Sequence, residues 1–249
     1  MNTTPDPGDL PWSDKDDAWL EALGISHLPD VCGALGRYRI LLEEANARLN
    51  LTRVEGPEDF LRKHALDALA FLAAVPAEWR DRPCSVLDVG TGGGLPGIPL
   101  LLACPSWQGV LLDATRKKVE AVQSFLDPLG LSDRARALWG RAEDPACLPG
   151  MSFGLVVARA VKDLALLATW CAPYVAPGGR LVVSKGPRGP EELAGARTAL
   201  SRVGLRLVES REVALPGGAG SRWLMAFERP LAPSSRRHGV DRKTQDEGM

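Results

Sequence analysis

The chain has 249 residues, of which 45% are hydrophobic and 24% charged, with a formal net charge of −1. This is ordinary globular composition, suited to one large domain or one domain with a smaller appendage. The near-zero charge excludes whole-molecule attraction to nucleic acid, leaving only local basic patches, and no apolar run approaches the roughly 20 residues that span a bilayer.

The opening "MNTTPDPGDLPW" is acidic and proline-rich, the wrong chemistry for a signal peptide. Residues 1–12 are expected to be disordered. From about Asp14 to Phe71 the periodicity is helical, and 13–82 reads as an N-terminal helical segment. "DVCGALGRYRILLEEANARLNL" places Val31, Leu35, Tyr38, Leu42 and Leu49 near a common face. "PEDFLRKHALDALAFL" starts with Pro57 and acidic residues, good first-turn chemistry.

After Pro83 the pattern changes to strand–helix alternation. "SVLDV", "GVLLDA", "ARALWG", "FGLVVARAV" and "GRLVVSKG" read as strands; "IPLLLAC", "RKKVEAVQSFLDPLG", "LALLATWCAPYV" and "PEELAGARTALSRVG" read as helices. The alternation predicts a parallel α/β sheet over 83–229. "LRLVESREVAL" and "SRWLMAFERP" read as a final strand pair forming an antiparallel edge. The tail 230–249 is polar and expected to be disordered. Its Arg236, Arg237, Arg242 and Lys243 read as solvated charges rather than a polyanion site.

Five scattered cysteines (Cys32, Cys84, Cys104, Cys147, Cys171) with no CxxC pair predict buried, reduced thiols in a cytosolic protein. His27, His64 and His238 are too far apart in sequence to suggest a metal site.

The stretch "SVLDVGTGGGLPGIPL" carries the chemistry. Four glycines in one turn after the first strand point to close approach of a ligand at the carboxyl edge of the sheet. The spacing is GxGxG, with Asp88 at the strand end and Leu95 where a dinucleotide fingerprint needs its third glycine. No GK[ST] is present, so a Walker-type phosphate loop is excluded. Asp113 ends the second strand, where a carboxylate suits a ribose diol in NAD enzymes and in enzymes using S-adenosylmethionine alike. Glu143 follows the third strand and suits an adenine or ribose contact as well as it suits a solvated helix start. A glycine turn without a phosphate trap, beside adenosine contacts, fits S-adenosylmethionine better.

"NLTRV", "KHALDAL", "VLDVGTGGGLPGIPL", "LLDATRKKVEAV", "WGRAED", "VVARAV" and "VVSKGP" occur in that order. Together they resemble the RsmG (GidB) family of bacterial methyltransferases acting on 16S ribosomal RNA, from about Leu20 to Phe227. The resemblance implies a class I methyltransferase Rossmann-like sheet with an N-terminal helical extension. It further implies methyl transfer from S-adenosylmethionine to N7 of one guanine in a decoding-region loop of the small ribosomal subunit, by a cytoplasmic enzyme expected to be monomeric. Gly90 and Leu95 would contact the cofactor, with Asp88, Gly92, Gly94 and Asp113 completing its site. Ala142 and Glu143 would flank the adenine, the Ala142 backbone as donor, and Arg159 would line the active site. Ala68 departs from the serine often found after "HxLD" in the family, which removes any hydroxyl role there.

Guanine N7 carries a free lone pair at neutral pH, so its methylation needs no general base, and none stands out in the sequence. The work left is positioning and electrostatics. Cations gather near expected strand ends: Arg116, Lys117 and Lys118; Arg141; Arg159 and Lys162; Lys185 and Arg188. Lys117, Lys118, Arg141 and Lys185 are the expected RNA contacts, and Arg141, Arg159 and Lys185 are expected to act in catalysis. His64 reads equally as a residue closing the helices over the site or as a structural histidine. Trp139 and Tyr174 could stack on a splayed base, but core packing is the expectation for both. Three other readings stay open: a small-molecule or protein methyltransferase, an NAD-dependent oxidoreductase, and a non-catalytic RNA- or nucleotide-binding module.

Overall fold

The protein is described by a computed structural model covering residues 8–25, 31–53, 56–159 and 162–231. The tail cations Arg236, Arg237, Arg242 and Lys243, and His27 and His238, lie outside the described residues. So do residues 1–7 and 232–249 of the two expected disordered ends. Packing begins before residue 13, however: Leu10 is buried, and Trp12 Nε1 donates to Asp17 Oδ1 at 2.9 Å.

The N-terminal unit comprises helices α1 (Asp14–Ala22), α2 (Cys32–Leu49), α3 (Gly56–Phe60), α4 (Leu66–Leu69) and α5 (Ala77–Arg80). Val31, Leu35, Tyr38 and Leu42 form the buried stripe expected for α2, while Leu49 is half-buried at its end. Asn50 then turns left-handed (φ 49°) and ends the helix, a role its short polar side chain tolerates. The segment read as one helix from Pro57 to Leu72 is not uniform. A π-helical turn, Leu61–Ala65, separates α3 from α4, and a 3-10 turn, Ala70–Ala74, follows. A π turn inserts one extra residue per turn and shifts the helical phase. Here Phe60, Leu61, His64, Ala65, Leu66 and Asp67 all end up buried, whereas Arg62 and Lys63 keep contact with water.

The remainder is an α/β sandwich. Strands β1 (Cys84–Val89), β2 (Trp107–Asp113), β3 (Ala135–Trp139), β4 (Phe153–Arg159), β5 (Val175–Lys185), β6 (Arg206–Ala214) and β7 (Ser221–Glu228) form one sheet of order β3-β2-β1-β4-β5-β7-β6. The first five strands run parallel. β7 pairs antiparallel with both β5 and β6, so the expected terminal strand pair enters the sheet with its second strand innermost. β1, β2 and β4 are apolar on both faces because helices cover both. One face carries α6 (Gly97–Ala103), α7 (Arg116–Leu126) and the N-terminal helices. The other carries α8 (Leu164–Cys171) and α9 (Gly189–Arg202). No disulfide forms among the cysteines; Cys104 and Cys171 are buried, the other three half-buried. Among the described residues no helix is long and apolar enough to cross a membrane.

Two glycines in helices predict opposite outcomes. A Cβ on Gly97 would stand 2.7 Å from Asp88 Oδ2 and 3.1 Å from its Cβ, beneath a packed turn. Gly97→Ala should cost about 1–3 kcal/mol by overpacking. Gly195, exposed within α9, has nothing within 4 Å of that position, and Gly195→Ala should gain up to about 1 kcal/mol. Thermal melts of the two variants should shift in opposite directions by a few degrees.

Candidate active site

The site is built at the carboxyl edge of β1, β2, β3 and β4. The penultimate residue of β1, Asp88, is fully buried. Its Oδ2 accepts from Thr91 Oγ1 at 2.6 Å and from the Gly97 amide at 2.8 Å. These two bonds close the glycine turn into a loop between strand and α6. Burial pushes the Asp88 carboxyl up to about 6, against the pull of those donors. Gly90 and Gly92 lie in the left-handed region (φ 73° and 60°), which explains glycine at both.

Gly93 answers a different constraint, and Gly94 answers both, its φ being 104°. A Cβ on Gly93 would meet Leu42 Cδ1 at 2.7 Å, and one on Gly94 would meet Ile98 at 2.5 Å and Tyr38 Oη at 3.2 Å. Tyr38 Oη donates to the Gly93 carbonyl at 2.8 Å. Gly93 is thus small because α2 lies against it, Gly94 is confined by Ile98 of α6 as well as by Tyr38, and Leu95 is buried beneath the turn. Tyr38 itself packs edge-to-face on Phe60 and Phe125.

β2 delivers Asp113. Its Oδ2 accepts from the Gly92 amide at 2.9 Å and its Oδ1 from the Thr115 amide at 2.8 Å. Asp113, Gly90, Gly140, Arg141, Ala142, Glu143 and Lys162 line one cleft of about 190 Å³, floored by Val89, Leu112 and Trp170. The structure therefore brings together the strand-end carboxylate, the turn and the Ala142–Glu143 pair. Arg141 stands largely in solvent at the cleft rim, 3.6 Å from Glu143 Oε1.

Other expected residues lie elsewhere. Lys117 faces a groove between α2 and α7 with Glu44, Arg48 and Glu120; Lys118, half-buried, precedes the apolar face of α7. Arg188 is exposed and pairs with Glu191 at 3.5 Å. Lys185 is only 6% exposed, its ammonium 2.9 Å from Glu192 Oε2 and bonded to the Lys162 carbonyl. It ties β5 to α9 rather than standing on an RNA-facing surface, a correction to its expected contact role. The physical reason is that a buried ammonium needs a carboxylate partner. Tyr174 is buried and donates to the Asp144 carbonyl at 3.2 Å, as core packing requires. Trp139 overturns the same expectation: it is 59% exposed at the end of edge strand β3. Its Nε1 donates to the Ala114 carbonyl at 3.0 Å, and the Arg116 guanidinium stands 6.0 Å from the ring centre.

Two residues that sequence reasoning left unassigned complete the edge. Arg159, ending β4, reaches Asp67 at 3.1 Å, and Arg222 of β7 reaches the same carboxylate at 3.2 Å. Asp67 stood within the quoted "KHALDAL", one turn after His64. Arg222 had no local signal, because only the β5–β7 pairing carries it there. His64 is buried, its Nε2 2.6 Å from Thr52 Oγ1 and its Nδ1 2.8 Å from the Lys63 carbonyl. A carbonyl only accepts, so Nδ1 carries the proton and Nε2 accepts from Thr52. Burial, with the Arg159 charge nearby, lowers its pKa to about 4.

The family model for GidB, rRNA small subunit methyltransferase G, matches residues 32–214. The Ribosomal RNA small subunit methyltransferase G of Symbiobacterium thermophilum is 38% identical over 234 residues, 90% of this chain and 94% of that protein. The protein of the same name from Pelotomaculum thermopropionicum is 40% identical over 194 residues, 77% of this chain and 80% of its own length. Among solved structures, TrmN from Thermus thermophilus matches with a TM-score of 0.53 at 19% identity, over 71% of this chain and 55% of that one. An O-methyltransferase family protein from Burkholderia thailandensis matches at 0.51 and 17%, over 81% and 73% of the two chains. At such identities these structures establish the methyltransferase fold.

The buried pair His64 and Asp88 predicts opposing pH effects. An unfolded histidine takes up its proton near 6.5, whereas folded His64 waits until about 4. Folding stability is therefore lost at this position as pH falls from 6.5 towards 4. Asp88 protonates at about 6 when folded and near 3.9 when unfolded, so it favours the native state over nearly the same interval as pH falls. His64→Gln should remove the first effect alone. Its stability relative to the parent chain should improve by roughly 3 kcal/mol between pH 6.5 and 4 in urea titrations. A difference independent of pH would show that His64 titrates normally.

Proposed function

The chain belongs to the rRNA small subunit methyltransferase G family, and we propose that it methylates N7 of one guanine in a decoding-region loop of 16S ribosomal RNA. In this reading it uses S-adenosylmethionine and works as a cytoplasmic monomer. The observation that carries the cofactor reading is the latch between Asp113 and the Gly92 amide. It fastens a strand-end carboxylate directly to a turn without side chains, and Asp113 and Gly90 line the same cleft.

The residues present fit S-adenosylmethionine. Each Asp113 oxygen holds one backbone donor and keeps a lone pair for a ribose hydroxyl. Gly92 presents open space, the nearest atom to an added Cβ being the Gly90 carbonyl at 4.0 Å. Ala142 and Glu143 line the adenine end, and Arg159 stands at the end of β4 beside the turn. Gly94, Leu95 and Asp88 shape the turn from below. Bound S-adenosylmethionine supplies an electrophilic sulfonium methyl.

Guanine N7 attacks that methyl with its own lone pair. With S-adenosylmethionine held by Asp113, the glycine turn and Ala142–Glu143, the N–C bond would form as the C–S bond breaks, the sulfur keeping the electron pair in S-adenosylhomocysteine. Positive charge passes to the purine and no proton moves in the step. The chain's own groups suit such a reaction: His64 has both ring nitrogens engaged, and Asp88 is sealed beneath the turn. What the protein contributes is orientation. Arg141 and Lys162 at the cleft rim, with Lys118 and Lys117 beyond it, are the proposed RNA cations, and Lys185 steadies β5 beneath them.

Labelled methyl transfer to unmethylated small subunits, followed by borohydride–aniline cleavage, tests the substrate and the atom together. A single cut in a decoding-region loop is expected. Incorporation without a cut rejects N7, and no incorporation rejects the substrate. Asp113→Ala should weaken S-adenosylmethionine binding at least about tenfold, the loss expected for a charged hydrogen-bond partner. An unchanged calorimetric Kd would reject the role of Asp113.

A further inference from the structure

Two arginines from strands far apart in sequence converge on one buried carboxylate. Arg159 Nη1 lies 3.1 Å from Asp67 Oδ2, and Arg222 Nε lies 3.2 Å from Asp67 Oδ1. The Asp67 side chain is 3% exposed, whereas those of Arg159 and Arg222 are 17% and 27% exposed. Among the described residues no other carboxylate lies within 4.0 Å of either guanidinium. One negative charge thus anchors two positive ones, and the group keeps an excess of +1 in a partly desolvated setting, where a charge acts more strongly than on open surface.

The donors are only partly used. Arg159 spends Nη1 on Asp67 and, at 3.5 Å, on the Lys63 carbonyl. Arg222 spends Nη1 on the Ser221 carbonyl at 2.9 Å and turns Nε towards Asp67. A guanidinium has five N–H donors in a planar fork, so both residues retain several.

Their place in the fold gives the pair a direction. Arg159 is the last residue of β4. Arg222 precedes Trp223, which pairs with Lys185 at the carboxyl end of β5. Both therefore stand at the carboxyl edge, on the β4–β5 side of the glycine turn. The Asp113 cleft lies on the β2–β3 side. Two planar forks held by a shared anchor suit a tetrahedral anion with several acceptor oxygens. On a substrate RNA that anion is a backbone phosphodiester.

We infer that Arg222, aligned with Arg159 by Asp67, binds an RNA backbone phosphate on the acceptor side of the cleft. Arg222 is a binding residue and Asp67 a positioning residue. The inference rests on the RNA-methyltransferase reading above.

The salt dependence of RNA binding tests it, because each phosphate contact adds a fixed increment to the slope of log affinity against log salt. The parent chain, Arg222→Gln and Arg222→Lys are titrated with unmethylated small subunits over a salt series. Thermal melts and S-adenosylmethionine calorimetry are run on the same samples. Arg222→Gln should lower the slope by about 0.7–0.9 and weaken binding about tenfold at constant salt, with cofactor Kd unchanged. Arg222→Lys should keep the slope and part of the affinity. An unchanged slope in Arg222→Gln overturns the inference. If its melt falls at the same time, Arg222 is only a structural tie to Asp67. Absence of any RNA binding by the parent chain also overturns it. Methyl incorporation by the parent chain separates the two readings: incorporation with an unchanged slope rejects Arg222 alone, and a lowered slope without incorporation rejects the proposed reaction alone.

Discussion

The buried carboxylate of Asp88 is the constraint on which the site depends. A carboxylate with no access to water must find donors within the protein. The Thr91 hydroxyl and the Gly97 amide are the donors it finds, and meeting them bends the chain into the turn. The same demand leaves no room for a side chain at Gly97. From the outer side Tyr38 holds the Gly93 carbonyl, so the turn is clamped between the strand beneath it and α2 beside it. Asp113 then fastens the half-buried Gly92 amide, one oxygen to Gly92 and the other to Thr115. The rigid backbone at this site is thus produced by three side chains from three elements.

The N-terminal helical unit does more than cover the sheet. Asn50 ends α2 and directs the chain to Thr52, whose hydroxyl meets His64 in the π turn. That turn sets Asp67 inward, where it gathers Arg159 from the sheet and Arg222 from the antiparallel hairpin. An appendage that looks separable in sequence is bonded to the carboxyl edge of the sheet by ionic and hydrogen-bonded ties. This is also how a chain of net charge −1 acquires a local positive surface. Arg116, Lys63 and Arg62 are compensated by Glu120, Asp59, and Glu58 with Asp16 on their own or adjacent helices, while the Arg159–Arg222 pair shares a single acid.

Much of this was legible beforehand, and the misses have physical reasons. Strand–helix alternation located all seven strands, because buried parallel strands are apolar on both faces and are bounded by glycine and charge. The π turn was invisible, since its residues have ordinary helical composition and only packing selects the wider turn. The four glycines looked alike, yet Gly90, Gly92 and Gly94 take left-handed backbone while Gly93 leaves room for Leu42 of α2. Lys185 looked like a strand-end cation and proved to be a buried tie to Glu192. Trp139 looked like core and lies open on an edge strand. In both cases burial depends on which element stands alongside, and no local pattern records that.

Sequence alone determined the fold class, the order of elements, the glycine turn and the strand-end acid, because each depends on residues close along the chain. Periodicity, glycine spacing and a carboxylate after an apolar run are local facts. Tertiary structure alone decided which cations are free, which face of the turn is sealed, and that Asp67, Arg159 and Arg222 meet at all. Those outcomes depend on distances between residues 92 and 155 positions apart, where charge and burial are set by neighbours that the chain delivers only after folding.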